Sequence, residues 1–274
     1  MSNYLSKTIS YKNNEIVEHS WSKNQESANV LIICHGIGEH GYRYKALANF
    51  LTDNFDIHIK CLDLPAHGLS RKKSKKLLTI NEYAELINHQ INLNNNYKKI
   101  HLFGHSMGGL ISCYSAMFYQ PRINSLSLSA PALKIANKIP NWQKVILKIA
   151  NKVYPNFQIH RPFKLSKLSN NQVNQQKYLN DPLIHQFASF QLIWSFVKCG
   201  NYCLNNFSQI KYPTNLMWSE LDSIIDPSAC RLFYESLNCP KQKLVLSNSK
   251  HEIFNDDEKE KCYHLLLEWI KKHN

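Results

Sequence analysis

One stretch constrains this chain more than any other. An apolar run, Lys99–Phe103, leads into Gly104-His105-Ser106-Met107-Gly108-Gly109, and a helical run continues to Tyr119. A serine between a buried strand and a helix, with glycines two before and two after it, sits on a turn too tight for side chains at those flanks. The strain lifts the Ser106 hydroxyl clear of the sheet. The helix that follows aims its N-terminus at the same spot, where it favours developing negative charge. A strand followed directly by a packed helix also demands a parallel neighbour, so the chain has to build a crossover sheet.

The rest of the order fits that demand. Residues 6–10 and 15–21 alternate around Lys12-Asn13-Asn14 and read as a hairpin. Val30-Leu31-Ile32-Ile33-Cys34 reads as a strand buried on both faces. Helical spacing at 43–53, a strand at 56–62, and a helix from Thr79 to about Leu93 opened by the capping box Thr79-Ile80-Asn81-Glu82 come next. After the serine turn, residues 125–129 form a strand closed by Ala130-Pro131. The rhythm then breaks. Residues 134–208 hold two amphipathic stretches, about 140–153 and 184–204, with no strand expected between them. The alternation resumes with a strand at 214–218, a helix after Pro227, a strand at 243–246 and a helix at 255–272. The expected organisation is a core of 1–133 and 209–274 with a helical cap, 134–208, inserted after the sixth strand.

Composition excludes several classes. With 274 residues, 43% hydrophobic and 19% charged, the chain is long enough to bury a core and too apolar to be disordered. No apolar run approaches the roughly 20 residues of a membrane span, and the start, MSNYLSKTISYKNNE, lacks the apolar segment of a secretory signal. Eight cysteines show no framework spacing, so a reducing cytoplasm is expected. Cys199 and Cys203 can share a helix face, but two thiols without a further pair read as packing rather than as a metal site. The net charge of +13 is concentrated. Residues 134–205 carry ten Lys and Arg against one acid, Asp181, and Arg71–Lys76 adds five cations. Such patches are either solvated surface or attractors of anionic partners. Nucleic acid is not expected, because the Arg71–Lys76 run has no interleaved aromatic for base stacking.

A serine hydroxyl needs a base, and the base needs an orienting acid. His251 follows the strand at 243–246 and precedes the last helix. Asp222 and Asp226 both follow the strand at 214–218. Asp222 is placed to reach back over the strand ends, whereas Asp226, directly before Pro227, reads as a helix cap. Ser106, Asp222 and His251 are therefore the candidate catalytic residues, in the chain order of the α/β-hydrolases. An oxyanion site needs two backbone N–H groups. Met107, after the nucleophile, and Ile37, in the glycine-bearing loop after Cys34, are the candidates. His35 and His40 read as polar braces of that loop, and His105 as the filler of the serine turn. Neither a Cys/His metal cluster nor a dinucleotide or P-loop glycine pattern is found, so no metal or cofactor is expected.

The segments His35-Gly36-Ile37-Gly38-Glu39-His40, Arg43-Tyr44, Gly104–Gly109 and His251-Glu252, with Asp181-Pro182-Leu183, resemble the monoacylglycerol lipase and lysophospholipase group of serine α/β-hydrolases over residues 28–272. The resemblance implies a mostly parallel sheet of about eight strands with helices on both faces and a lid after strand six. It implies hydrolysis of single-chain acyl esters, monoacylglycerol or lysophospholipid, through an acyl-Ser106 intermediate. It also implies oxyanion donation by Ile37 and Met107, with Glu39 and Arg43 as candidate substrate contacts. Two positions depart from the group: Ala66 and Ser219 stand where glycines are usual.

Two other readings stay open: a serine peptidase of the prolyl aminopeptidase type on the same fold, and a non-catalytic protein that binds acidic lipid. The cap bears on the second. Its first stretch puts Ile139, Trp142, Val145, Ile146, Ile149 and Val153 near one side, with Lys138, Lys144, Lys148 and Lys152 among them, and Phe187, Phe190 and Trp194 load the second. Either the apolar side packs on the core over Ser106, or part of it meets an anionic membrane, which would make the protein peripheral on the inner face.

Overall fold

Strands β1 (Asn3–Tyr11) and β2 (Asn14–Ser22) pair antiparallel as a hairpin at one sheet edge. The computed structural model describes residues 2–12, 14–137 and 139–274, so Asn13 of the expected turn and Lys138 of the basic cap lie outside the described residues. β3 (Asn29–Cys34) is buried along its length and runs parallel between β4 (His58–Asp63) and β5 (Lys99–His105). Helices α1 (Lys45–Asn54) and α2 (Ile80–Leu93) flank β4 in the chain, and α2 carries the expected reciprocal Thr79–Glu82 cap. α3 (Met107–Phe118) connects β5 to β6 (Ser125–Ser129). Beyond the insertion come β9 (Thr214–Ser219), α8 (Pro227–Ser236), β10 (Lys241–Leu246) and α9 (Lys259–Lys272). The eight strands are ordered β1-β2-β4-β3-β5-β6-β9-β10, and only the pairs β1–β2 and β2–β4 are antiparallel.

The sheet is covered on both faces, which is why its central strands are buried on both sides, the serine side of β6 included. Val30 and Ile32 of β3 face a core with α2, α3 and α8, while Leu31 and Ile33 face a second core with α1 and α9. The thiols are part of this packing. All eight are unpaired and seven are buried.

The insertion corrects the sequence reading. It contains α4 (Asn141–Val153), β7 (Gln158–His160), α5 (Leu165–Leu168), α6 (Gln172–Leu179), β8 (Phe187–Ser189) and α7 (Phe190–Asn205). β7 and β8 pair antiparallel where no strand was expected. Three-residue strands are too short to show a period, and pairing across the 26 residues between them is a tertiary event. The second helix begins at Phe190, not 184, because Ser189 caps it by accepting from the Leu192 N–H. α9 likewise starts at Lys259 rather than 255. The buried Asp256 carboxylate holds the preceding turn by accepting from the N–H groups of Lys250, Asn170 and Asn171 and from the Ser169 hydroxyl.

Candidate active site

Ser106 stands at the end of β5 with φ 52° and ψ −115°, a conformation that costs about 1–3 kcal/mol for a residue with a side chain. The flanking glycines are what permit it. A Cβ on Gly104 would overlap the Gly108 carbonyl, and one on Gly108 would overlap the Cys34 carbonyl of β3. The turn is then fixed by its own backbone: Ser106 N–H donates to Ser129 O at 2.9 Å, and Ser106 O accepts from Leu110 and Ala132.

His251, in the loop after β10, reaches Ser106 from above the carboxyl ends of the strands. Its Nε2 is 2.8 Å from Ser106 Oγ, and its Nδ1 is 2.7 Å from Asp222 Oδ2. The other Asp222 oxygen accepts from the N–H groups of Ile224 and Ile225, which leaves Oδ2 aimed at the ring. All three side chains are buried. Burial opposes a charged imidazole, but the Asp222 carboxylate, by charge and hydrogen bond, outweighs it and holds the His251 pKa above the ordinary value. His105 packs its ring 5.1 Å from that of His251, and burial pushes its pKa down to about 4, so it adds no competing charge at neutral pH.

The sequence left two aspartates to separate. Asp222 meets the imidazole, whereas Asp226 caps α8 through the Ser228 N–H and pairs with Lys134 at 2.8 Å. The two departures from the group pattern also have a physical account. Ala66 keeps a left-handed backbone, φ 67°, in the absence of glycine. The Ser219 hydroxyl donates to Ser249 O, so it ties the loop of Asp222 to the loop of His251.

The two oxyanion candidates stand on either side of the strand ends, in the loop after β3 and at the start of α3. Ile37 and Ser106 line one cavity, and Met107 opens α3. Among the described residues, neither Ile37 N–H nor Met107 N–H donates in a loop, turn or cap hydrogen bond. Gly38 holds φ +77° under the cap, where His185 N–H donates to its carbonyl at 2.9 Å. His40 Nε2 lies 2.8 Å from Asp181 of the insertion. His35 bridges Gly36 O and Leu64 N–H.

Glu39 and Arg43, expected as substrate contacts, hold each other and their neighbours by their charged ends, with Glu39 also lining the small space beside Ser106 and His251. Arg43 grips both Glu252 oxygens at 2.9 and 2.7 Å and Glu39 at 3.0 Å. Glu39 accepts from Gly36 N–H and from Tyr44 OH. Burial alone would raise the Glu39 pKa; Arg43, with His105 and His35, holds it well below the carboxylate range instead. The network joins the loop of Ile37 to the residue after His251. Arg43→Ala leaves two buried carboxylates without their cation, and a loss of about 3–5 kcal/mol in urea unfolding is expected. An unchanged unfolding midpoint would deny the network this bracing role.

Ser106 opens on a cavity of about 320 Å³ with Ile135, Ile193, Phe196 and Ile225 in its wall, continuous with a groove of about 490 Å³ along Leu133, Pro140 and Val197. Arg161, Phe163, Lys164 and Lys167, between β7 and α6, also line it. Sequence reading missed these four as site residues, along with Asp256. Their charge was visible, but no periodicity points a loop at a distant serine. Among the described residues, no cluster of three or more His, Cys, Asp or Glu is placed to hold a metal ion.

The family described as "Serine aminopeptidase, S33" matches residues 25–258. A monoglyceride lipase homolog of monkeypox virus is 24% identical over 85% of this chain and 84% of its own length. Phospholipase YtpA of Bacillus subtilis is 23% identical over 89% of this chain and 95% of its own. The crystal structure of the Paleococcus ferrophilus monoacylglycerol lipase superposes with a TM-score of 0.86 at 26% identity, covering 94% of this chain and 99% of that one. With the family matched over residues 25–258 and the fold shared with the Paleococcus ferrophilus lipase, the chain belongs to the serine α/β-hydrolases of the monoacylglycerol lipase group and is an ester hydrolase.

Proposed function

We propose that the protein hydrolyses carboxylic esters of single-chain lipids, monoacylglycerol or lysophospholipid, through an acyl-Ser106 intermediate. The observation that carries this reading is the unbroken hydrogen-bonded chain Ser106–His251–Asp222 on the floor of an apolar-walled cavity. His251 Nε2 takes the hydroxyl proton as Ser106 Oγ attacks the ester carbonyl, and Asp222 steadies the imidazolium. The N–H groups of Ile37 and Met107 receive the oxyanion. The imidazolium then protonates the leaving alcohol oxygen. Water, activated by the same imidazole, attacks the acyl-enzyme, releases the fatty acid and restores Ser106. The names of the lipase and phospholipase relatives support the substrate class.

Residues 134–208 act in this reading as the lid over a core of 1–133 and 209–274. A cavity of about 320 Å³ over Ser106 suits one acyl chain better than three. Monoolein is therefore expected to turn over at least about tenfold faster than triolein in the same detergent; equal rates would count against a single-chain site. The peptidase alternative is favoured by the family's description alone. An aminopeptidase has to receive a substrate ammonium, and the cavity wall offers Arg161, Lys164 and Lys167 instead. Proline arylamides are expected to be left intact where p-nitrophenyl esters are cleaved.

The lid also serves as the membrane contact. α4 has no buried residue, and Trp142, Val145, Ile146, Ile149 and Val153 are each more than half exposed. The apolar side does not pack on the core, which favours the interfacial reading. Lys148 and Lys152 are exposed beside it, and each cation near an anionic surface adds about 1 kcal/mol. Among the described residues, no helix is long and apolar enough to cross a membrane. Co-sedimentation with acidic vesicles is expected to exceed that with neutral ones, to weaken with salt, and to fall when Lys144, Lys148 and Lys152 become glutamine. Partitioning indifferent to lipid charge and salt would return these lysines to ordinary solvated surface.

A further inference from the structure

The wall over Ser106 is electrically one-sided. Arg161, Lys164 and Lys167 line the cavity that opens on the nucleophile. Among the described residues, none of the three makes a salt bridge or a side-chain hydrogen bond. The acids of this region are already taken: Asp181 by His40, Glu39 and Glu252 by Arg43, Asp226 by Lys134, and Asp222 by His251. A cleft with three unneutralised cations and no free carboxylate concentrates an anion at its wall.

The same cavity has a second direction. Ala132, Ile135 and Phe196 line both it and the adjoining groove, whose wall sets Leu133, Ile139, Pro140 and Val197 beside Lys134, Lys144 and three asparagines. An ester lying across Ser106 thus has these apolar side chains for its acyl chain and a cationic wall for what the ester oxygen carries. Phe163, between Arg161 and Lys164, also lines the small space against Ser106 and His251, so the cationic segment begins at the reacting atoms. We propose that Arg161, Lys164 and Lys167 select single-chain esters with an anionic, phosphate-bearing head group over neutral monoacylglycerols. This rests on the ester-hydrolase reading of Ser106 and narrows it. A phosphate monoester offers several acceptor oxygens at up to two negative charges, which fits a guanidinium flanked by two ammonium groups.

The same cations could instead hold the carboxylate of the fatty acid product, and the choice of probes separates the two. Monooctanoyl glycerol, monooctanoyl glycerophosphate and monooctanoyl glycerophosphocholine are compared below their micelle concentrations, where no interface contributes. The expected result is a kcat/KM for the glycerophosphate ester on the order of tenfold above that for the glycerol ester, carried in KM. The ratio should fall toward one in the combined R161Q, K164Q and K167Q variant, and with added salt. Because a ratio is read, a general loss of activity in the variant does not imitate this result. A ratio near one in the wild type, or a ratio the variant leaves untouched, would overturn the proposal. So would octanoate inhibition that vanishes in the variant while all three esters turn over alike, since that assigns the cations to the product. Turnover of none of the esters, with Ser106 unlabelled by a fluorophosphonate, would overturn the parent reading as well; turnover without discrimination leaves the parent standing.

Discussion

Ser106→Ala and His251→Ala are each expected to lower kcat by about 10⁴-fold or more without unfolding the protein. The two side chains act as one unit. With no hydroxyl there is nothing to acylate, and with no imidazole the Ser106 proton has no acceptor, because His105, the other ring nearby, gives its Nδ1 to Ser129 Oγ. Neither change removes a tertiary brace. Ser106→Ala deletes one oxygen from a strained turn, and the loop of His251 stays anchored through Ser249, Glu252 and Asp256. Fluorophosphonate labelling should disappear in Ser106→Ala while the circular dichroism spectrum is retained. Residual activity above about a tenth of wild type in either folded variant would remove the triad assignment.

Asp222→Asn is expected to cost on the order of 10³ to 10⁴ in kcat, and Asp226→Asn close to nothing, since asparagine caps a helix about as well as aspartate. The two residues are four apart, so the pair tests position rather than charge. The pH profile sharpens the test. Asp222 holds the His251 pKa above its ordinary value against burial, which pulls it down. A general base works when neutral, so wild-type kcat/KM should fall as pH drops through a value above about 6.5. In Asp222→Asn the burial penalty is opposed only by the weaker pull of Glu252 and Glu39, and the acid limb should move to lower pH. The sign for stability is the reverse. A raised folded pKa contributes stability that is fully present below the unfolded pKa and is lost as pH rises through the folded one. Activity and this contribution to stability thus trade against each other above about pH 6.5. An acid limb that stays in place in Asp222→Asn would detach the imidazole's titration from this carboxylate.

Much of the core was legible because its signals are local. β3 is a continuous apolar run, β5 carries an apolar centre, β6 alternates leucine with serine, α2 announces itself by the Thr79–Glu82 cap, and Gly104 and Gly108 mark where α3 comes too close to β3 and β5 for a side chain. That Ser106, Asp222 and His251 would meet followed from chain order, since each stands at the carboxyl end of a strand and parallel strands put those ends on one side. The insertion was less legible. The pairing of β7 with β8, the late start of α7 and the turn held by Asp256 depend on partners tens of residues away.

The sequence by itself determined the parallel sheet, the strained serine turn and the identity of the residues that converge there, because strand period, glycine spacing and capping chemistry act within a few residues. Only the tertiary structure decided what Glu39 and Arg43 do. Burial beside Glu252 strengthens their mutual attraction over what it would be in water. It also decided that the apolar side of α4 points outward and that three of the cap's ten cations line the cavity over Ser106. A charge or an apolar stripe is written in the chain, but whether it faces water, a core or a substrate depends on how elements far apart in sequence pack together.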